Sequence, residues 1–276
     1  MKHIRFVFLK PLLSFIFFLL LTCSVTNAQK LPDVQKKDAH VPNFVKIDGS
    51  ITEWDHNLLT YNHATEIFYY LANDDEYLYL LVRATKPEII NKILLGGITL
   101  VIDPTKTKSD KGVAITFPTY YKNERPAINL KNLPKANKDT LVYRIQTDSF
   151  RRASNQALTN KSKLIEVERV KGIPDSLISV YNDQQIRAAA IFDDKLTYNS
   201  ELRVPIKYLN LNRSGSFSYH IKLNGATANN AHIQLSRNGQ MLLVTGSNGT
   251  YAVPANSQYS SYVYATDFWG EYTLTN

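Results

Sequence analysis

Two runs rich in aromatic and β-branched residues flank a short acidic turn near residue 74. Residues 65–71 lead into the turn at 73–75 (Asn-Asp-Asp), and residues 77–83 follow it at once. Aromatic and β-branched side chains fill a pleated, half-buried surface, and Asn and Asp tolerate the backbone of a tight turn. The sequence therefore predicts an antiparallel hairpin, and strand alternation predicts that Leu78 and Leu80 share one of its faces.

Strand-like segments recur at short intervals along the rest of the chain. They cover residues 98–102, 112–117, 140–146, 164–170, 186–192, 196–204, 217–223, 233–235, 241–245, 259–265 and 268–274. No run of ten or more residues has a strong 3.6-residue period, and only the polar segment 149–162 is compatible with a short helix. Short strands separated by turns favour a sandwich or a closed barrel, so we expect an all-β fold.

The first 28 residues have the three parts of a secretory signal peptide. Three basic residues lie among the first ten, residues 12–21 are apolar and uncharged, and residues 26–28 (Thr-Asn-Ala) place small side chains before a cleavage site. The pattern predicts cleavage between Ala28 and Gln29. The apolar run is too short for a convincing membrane span, so no transmembrane span is expected in the mature chain.

The predicted mature chain has the organisation of one domain. Residues 29–39 are polar and are expected to form a tether, and residues 40–276 are expected to form a single β-sandwich domain. Residues 119–138 contain two prolines with several Asn and Lys, so we expect an irregular insertion there. About 248 residues remain after cleavage, which is enough for one substantial core.

The position of the single cysteine helps to predict the cellular compartment of the mature protein. Cys23 lies within the predicted signal peptide, so the mature chain has no thiol for a disulfide, a nucleophile or a zinc–thiolate site. An exported protein without disulfides suits a bacterial periplasm, outer surface or medium better than a eukaryotic secretory route. The alternative is lipid attachment at Cys23, because residues 20–23 resemble a lipoprotein box, with Thr22 in place of the usual small residue.

The charge of the chain is positive but dispersed. The formal net charge is +8, and cleavage removes three basic residues, which leaves +5. The sequence has no basic stripe, so nucleic acid is not expected as a partner. Among glycans, the positive charge favours acidic polysaccharides.

Four short segments, taken in order, resemble one protein family. Residues 45–49 with 53–54 (Val-Lys-Ile-Asp-Gly, then Glu-Trp) are similar to the opening of family 9 carbohydrate-binding modules and their DOMON-like relatives. Residues 73–79 resemble the hairpin of that family, residues 97–103 its third strand, and residues 201–206 its late strand with Glu and Pro. The resemblance implies an antiparallel β-sandwich of the jelly-roll type, with non-catalytic glycan binding as the function.

The resemblance also implies aromatic rings as the sugar-binding groups, since such rings stack on the apolar face of a pyranose. The candidates in this chain are Trp54 and a C-terminal cluster of Asp267, Phe268, Trp269 and Tyr272. In this interpretation the Asp267 carboxylate accepts hydrogen bonds from sugar hydroxyls. The alternative is that Trp54 fills the core and that Phe268 and Trp269 close the sandwich, although strand alternation keeps one of that pair from facing inward.

Acidic residues at strand ends suggest a metal site. Asp74 and Asp75 lie at the hairpin tip and Asp103 ends a strand, so these three are the candidate ligands of a calcium ion, which related modules carry; the alternative is that these residues form solvated turns. No other cofactor is expected.

The sequence carries no catalytic signature. It has no HExxH, GxGxxG or Walker motif, so we expect a binding protein rather than an enzyme. The alternative function is a structural or assembly protein of the cell envelope that kept the fold without a sugar site.

Overall fold

The computed structural model describes most of the chain beyond residue 32. The described residues are 33–36, 38–39, 41, 45–54, 60–121, 124–135, 139–211, 215–226, 232–246, 249–256 and 263–275. The chain divides into two compact units, Met1–Leu31 and Pro32–Asn276, and the described residues all lie in the second. The predicted signal peptide with Cys23, and the first part of the predicted strand 259–265, lie outside the described residues. None of the described helices is long and apolar enough to cross a membrane.

The described elements are mostly strands. The strands are β1 (Thr60–Asn62), β2 (Ile67–Asn73), β3 (Tyr77–Ala84), β4 (Ile98–Asp103), β5 (Val113–Thr119), β6 (Leu164–Glu168), β7 (Ser176–Ser179), β8 (Arg187–Phe192), β9 (Tyr198–Pro205), β10 (Ser216–Leu223), β11 (His232–Leu235), β12 (Met241–Gly246), β13 (Gly249–Pro254) and β14 (Thr266–Thr273). The helices are α1 (Pro87–Gly96) and α2 (Thr140–Lys161), with short 3-10 turns at Leu130–Asn132 and Ile206–Tyr208.

The strands form three sheets whose neighbouring strands are all antiparallel. Sheet I has the order β1-β2-β3-β9-β8, sheet II the order β14-β10-β4-β5-β6-β7, and sheet III the order β11-β12-β13. Inward side chains of sheets I and II share one hydrophobic core. The predicted antiparallel β-sandwich is confirmed.

The hairpin of β2 and β3 lies where the sequence predicts it. Leu78 and Leu80 both face the core, with 1% and 4% of their surface exposed. Asp74 fixes the turn, because its Oδ1 accepts hydrogen bonds from the backbone N–H groups of Glu76 and Tyr77 at 2.8 and 2.7 Å. The turn chemistry and the strand alternation therefore agree on one register.

Helix α2 replaces the predicted strand at 140–146 and is longer than the short helix allowed at 149–162. The strand prediction was wrong. It rested on β-branched and aromatic residues, whose strand preference is weak compared with a fixed helix start. Asp139 supplies that start as the N-cap, since its Oδ1 accepts hydrogen bonds from the N–H groups of Leu141 and Val142 at 3.0 Å.

Helix α1 and the first turns of helix α2 escaped prediction, for different reasons. Helix α2 buries only Thr147, Ser154 and Leu158, so the buried face has little apolar character to reveal a helical period. Helix α1 starts at Pro87, a residue favoured in the first turn. Its buried residues lie in a ten-residue stretch that is too short for periodicity to distinguish from a strand.

The segments predicted as tether and insertion both contribute contacts to the sandwich. Gln35, in the predicted tether, donates through Nε2 to the Leu71 carbonyl at 2.7 Å, and the Leu71 N–H donates back to Oε1 at 2.8 Å. Leu130, in the predicted insertion, is 5% exposed and joins the core. Residues 124–135 contain one short 3-10 turn and no strand.

Candidate functional site

Two of the four segments that carry the family resemblance, the first and the last, meet at one buried carboxylate. Glu201 of β9 accepts a hydrogen bond from Trp54 Nε1 at 2.7 Å, and its second oxygen accepts from the N–H groups of Gly49 and Asp48 at 2.7 and 3.0 Å. Gly49 has a φ of 86°, and a Cβ there would lie 2.9 Å from the backbone nitrogen of Ile191. Glycine is therefore required at this turn, and the motif fastens the N-terminal segment to sheet I.

Trp54 is a core residue. Its side chain is 4% exposed and makes edge contacts with Tyr70 and Tyr79, at ring-centre distances of 6.1 and 5.9 Å. An indole in this position has no face free to stack on a sugar. The prediction of Trp54 as a ligand-binding residue was wrong, because its side chain is hydrogen-bonded to Glu201 and packed against Tyr70 and Tyr79.

Strand β14 divides the predicted C-terminal cluster between two faces. Phe268 and Tyr272 point into the core, with 8% and 2% exposure. The Phe268 ring lies 4.8 Å from the ring of Tyr69, and the Tyr272 hydroxyl donates to the Ala39 carbonyl at 2.8 Å. Both residues were predicted to bind ligand, and that prediction was wrong, since the two-residue period of the strand turns them inward.

Asp267 and Trp269 lie on the outer face of sheet II. Trp269 is half-buried and stands directly opposite His220 of β10, with the two rings stacked at 4.3 Å between centres and 11° between planes. His220 Nδ1 lies 2.7 Å from Asp110 Oδ1, and its Nε2 lies 3.1 Å from Asp267 Oδ1. The contacts with the two carboxylates fix the orientation of the imidazole ring, and the indole of Trp269 packs parallel to that ring.

Two buried polar atoms beside Trp269 lack a hydrogen bond of good geometry. They are Oγ of Ser218, which is fully buried, and Nε2 of His220, which is 5% exposed as a residue. The contact of Nε2 with Asp267 is close but poorly aligned for a hydrogen bond. Unpaired buried polar atoms are costly, so this part of the sheet is suited to a ligand group or a water molecule.

The loop between β4 and β5, here called the Asp103 loop (residues 103–110), is built around one carboxylate. Asp103 is 2% exposed and accepts hydrogen bonds from the N–H groups of Thr105, Thr107 and Ser109 at 2.9 to 3.0 Å. Burial alone would raise the pKa of Asp103, but these donors outweigh it and hold the pKa below its ordinary value. A fixed loop of this kind can position side chains accurately.

The Asp103 loop contacts the surroundings of Trp269 on one side and borders a cleft on the other. Lys106 Nζ lies 3.4 Å from Glu271 Oε2 of β14, next to the Asp110 contact with His220. The cleft has a volume of about 500 Å³ and is also lined by Arg169 and Asn210, which have φ values of 57° and 54°. Left-handed backbone at non-glycine residues often accompanies functional sites.

The three carboxylates predicted to bind calcium do not share a site: two of them are engaged by different partners and the third is exposed. Asp74 uses Oδ1 for its own turn and Oδ2 for the hydroxyl of Tyr79 at 2.7 Å, and both oxygens of Asp103 accept from its own loop. Asp75 is exposed. In the ranges that the structure describes, no three His, Cys, Asp or Glu side chains converge to hold a metal ion. The geometry lends the calcium hypothesis no support, and it stays a prediction.

Comparison with solved structures gives a similarity to a carbohydrate-binding module. No family model and no curated protein sequence matches the chain. A family 9 carbohydrate-binding module from Caldicellulosiruptor kristjanssonii, solved in complex with glucose, is 12% identical; the alignment covers 87% of this chain and 96% of that one, with a TM-score of 0.33. The function of the site therefore has to follow from its own geometry.

Sequence reasoning found Trp269 and Asp267 but missed the groups around them. Ser218 and His220 come from β10, and Asp110 comes from the Asp103 loop, both far from β14 along the chain. Strand alternation in the sequence could have placed Ser218 and His220 on one face of β10. The sequence could not have shown that β10 pairs with β14, because strand order is decided by tertiary contacts.

Proposed function

We propose that this protein is a non-catalytic carbohydrate-binding protein whose glycan site is centred on Trp269. The observation that carries the proposal is the indole itself, half-buried on an outer sheet face and stacked on His220 with the exposed carboxylates of Asp267 and Glu271 on either side. Such a ring offers an apolar face, and the carboxylates offer acceptors for hydroxyl groups.

The register of sheet II decides how the two faces of the indole are directed. His220 on β10 covers the first face of Trp269. Strand β14 is the edge of the sheet in the described part of the chain, so the second face of the indole is directed toward that edge. A ring already held in place loses little conformational freedom on binding, which favours affinity.

The substitution Trp269→Ala tests the proposal on a glycan array and by affinity electrophoresis. We expect retention of the bound glycan to fall roughly tenfold or more, because the stacking surface is removed. Tyr181→Ala is the matched control, since Tyr181 is 76% exposed and lies in another part of the fold. Thermal unfolding and near-ultraviolet circular dichroism establish that both variants are folded. Unchanged retention in a folded Trp269→Ala protein would contradict the proposal.

A structural or assembly role is the second candidate, and one surface favours it. Leu141, Val142 and Ile145 at the start of α2 are 54%, 39% and 57% exposed. Clustered exposed apolar side chains favour contact with another molecule. The Trp269→Ala experiment distinguishes the two functions. An assembly protein without a sugar site would retain no glycan on the array, in either its native or its substituted form.

Export is part of the proposal. It is supported by the basic start, the apolar run at 12–21 and the small residues at 26–28. We place the mature protein in a bacterial periplasm, on the outer surface or in the medium. Mass spectrometry of the protein from its native host should find an N-terminus at Gln29. An intact Met1 would contradict export by this route, and a lipid on Cys23 would show the lipoprotein alternative.

A further inference from the structure

The charges beside Trp269 differ in sign from the charge of the whole chain. Three carboxylates surround the stacked rings, those of Asp110, Asp267 and Glu271, and their side chains are 69%, 47% and 58% exposed. Contacts and strand register place two ammonium groups beside them: Lys106, which is paired with Glu271, and Lys222, which stands opposite Asp267. Among the described groups placed in this way, three carboxylates stand beside two ammonium groups, although the net charge of the chain is +8.

The two carboxylates on β14 bracket the open face of the indole. Asp267 and Glu271 lie two residues before and two residues after Trp269 on the same outward side, which places each about 7 Å from it along the strand. A cation over an indole face is attracted by the ring quadrupole, and a neighbouring carboxylate adds a direct ion pair. An anionic sugar in the same position would meet two like charges.

The chain already places an ammonium group in this setting. Lys106 reaches from the Asp103 loop to Glu271, with its Nζ 3.4 Å from Oε2, and this lysine side chain is 42% exposed. An exposed pair of this kind is weak and exchanges readily with solvent. Glu271 can therefore exchange its ion pair with Lys106 for one with an ammonium group of a ligand, at a small cost in free energy.

We propose that the Trp269 site takes a glycan that bears primary ammonium groups, of the kind found in an oligomer of glucosamine, rather than the acidic polysaccharide that the net charge of the chain favours. This inference rests on the proposed glycan-binding function. The sugar ring stacks on the free indole face, and the ammonium group lies between the indole and the carboxylate of Asp267 or Glu271.

A matched pair of ligands tests the proposal. Glucosamine oligomers and N-acetylglucosamine oligomers of the same length share one backbone and differ only in the charged amine. We measure binding to the mature protein by isothermal titration calorimetry, at a mildly acidic pH where the amines are protonated and at physiological salt. A neutral glucan oligomer, an oligomer of galacturonic acid and an oligolysine peptide complete the set. We expect the glucosamine oligomer to bind roughly tenfold more tightly than its acetylated partner.

Charge-neutralising variants identify the groups responsible. Asp267→Asn and Glu271→Gln should each reduce the preference for the amine several-fold, the second also because it leaves Lys106 as an unpaired cation beside the site. Asp194→Asn is the control, since it makes the same change of charge at an exposed position in the turn between β8 and β9 of sheet I. It should leave the preference unchanged.

The outcomes separate this inference from the proposed function. Equal or tighter binding of the acetylated, neutral or acidic oligomers, lost in Trp269→Ala, would overturn the amine preference and leave glycan binding in place. Absence of binding to every oligosaccharide would overturn the glycan-binding function itself. Binding of oligolysine without the glucosamine oligomer would overturn the assignment of the site to a sugar.

Discussion

At the scale of single residues, Glu201 shows how one carboxylate joins distant segments. It lies on β9 and receives hydrogen bonds from Trp54 and from the turn at Gly49, so the start of the domain is fastened to the middle of sheet I. Burial disfavours the charged form and the hydrogen bonds favour it; burial has the larger effect and raises the pKa to about 7.

The raised pKa of Glu201 predicts a pH dependence of stability. Between pH 4.5, its ordinary pKa, and about pH 7, the folded protein keeps a proton that the unfolded chain releases. The contribution of this group to the free energy of unfolding is therefore fully present below pH 4.5 and falls as the pH rises from there to about 7. In Glu201→Gln, denaturant unfolding across this window should show a smaller fall than in the native protein, even though the variant is less stable overall.

A control isolates the buried group. Glu53→Gln removes an exposed carboxylate from the same N-terminal segment and should leave the slope of stability against pH close to that of the native protein. A native slope that persists in Glu201→Gln would show that Glu201 does not titrate in this range.

At the scale of elements, the site is a property of two paired strands. The outward positions of β14 carry Asp267, Trp269 and Glu271, while the inward residues Phe268 and Tyr272 anchor the strand in the core. On β10, Ser218 and His220 face the same side. The inward residues fix the height and register of the strand, so the outward residues occupy fixed positions without a ligand.

Helix α2 depends on a few specific contacts rather than on a continuous apolar face. Its C-terminal part packs near β8, where Asn155 donates to the Phe192 carbonyl at 2.9 Å and accepts from the Phe192 N–H at 2.7 Å. Its first turns, with Leu141 and Ile145, remain exposed. The helix is held by its cap, by the hydrogen bonds of Asn155 to a strand edge and by one leucine in the core, Leu158, and these features produce no apolar period in the sequence.

At the scale of the molecule, stability depends on the core between sheets I and II. Leu78 is 1% exposed within that core. Leu78→Ala should lower the free energy of unfolding by about 2–5 kcal/mol, because the substitution removes buried apolar surface and leaves a cavity. Chemical denaturation monitored by tryptophan fluorescence measures the change.

An exposed leucine supplies the comparison for Leu78. Leu235 on sheet III is 60% exposed, so Leu235→Ala should change the free energy of unfolding by no more than about 0.5 kcal/mol. A loss of that small size at Leu78 would mean that the core does not pack as described.

The sequence by itself determined most of the strands, the hairpin at 73–75 and the placement of Leu78 and Leu80 on one shared face. These features depend on neighbours within about ten residues, where turn chemistry and the two-residue period act directly. The same local rule showed that Phe268 and Trp269 could not both face inward. It did not show which of them would.

Only the tertiary structure decided the orientation of Trp269, its stacking on His220 and the burial of Trp54. The pairing of β10 with β14 joins residues about 50 positions apart, and the Glu201 contact with Trp54 joins residues 147 positions apart. Such pairings are selected by the burial of the shared core, which is a sum over many side chains and leaves no mark in a short window of sequence. The local charge at the site was also decided by the tertiary structure, because the loop folded around Asp103 places Asp110 and Lys106 beside β10 and β14.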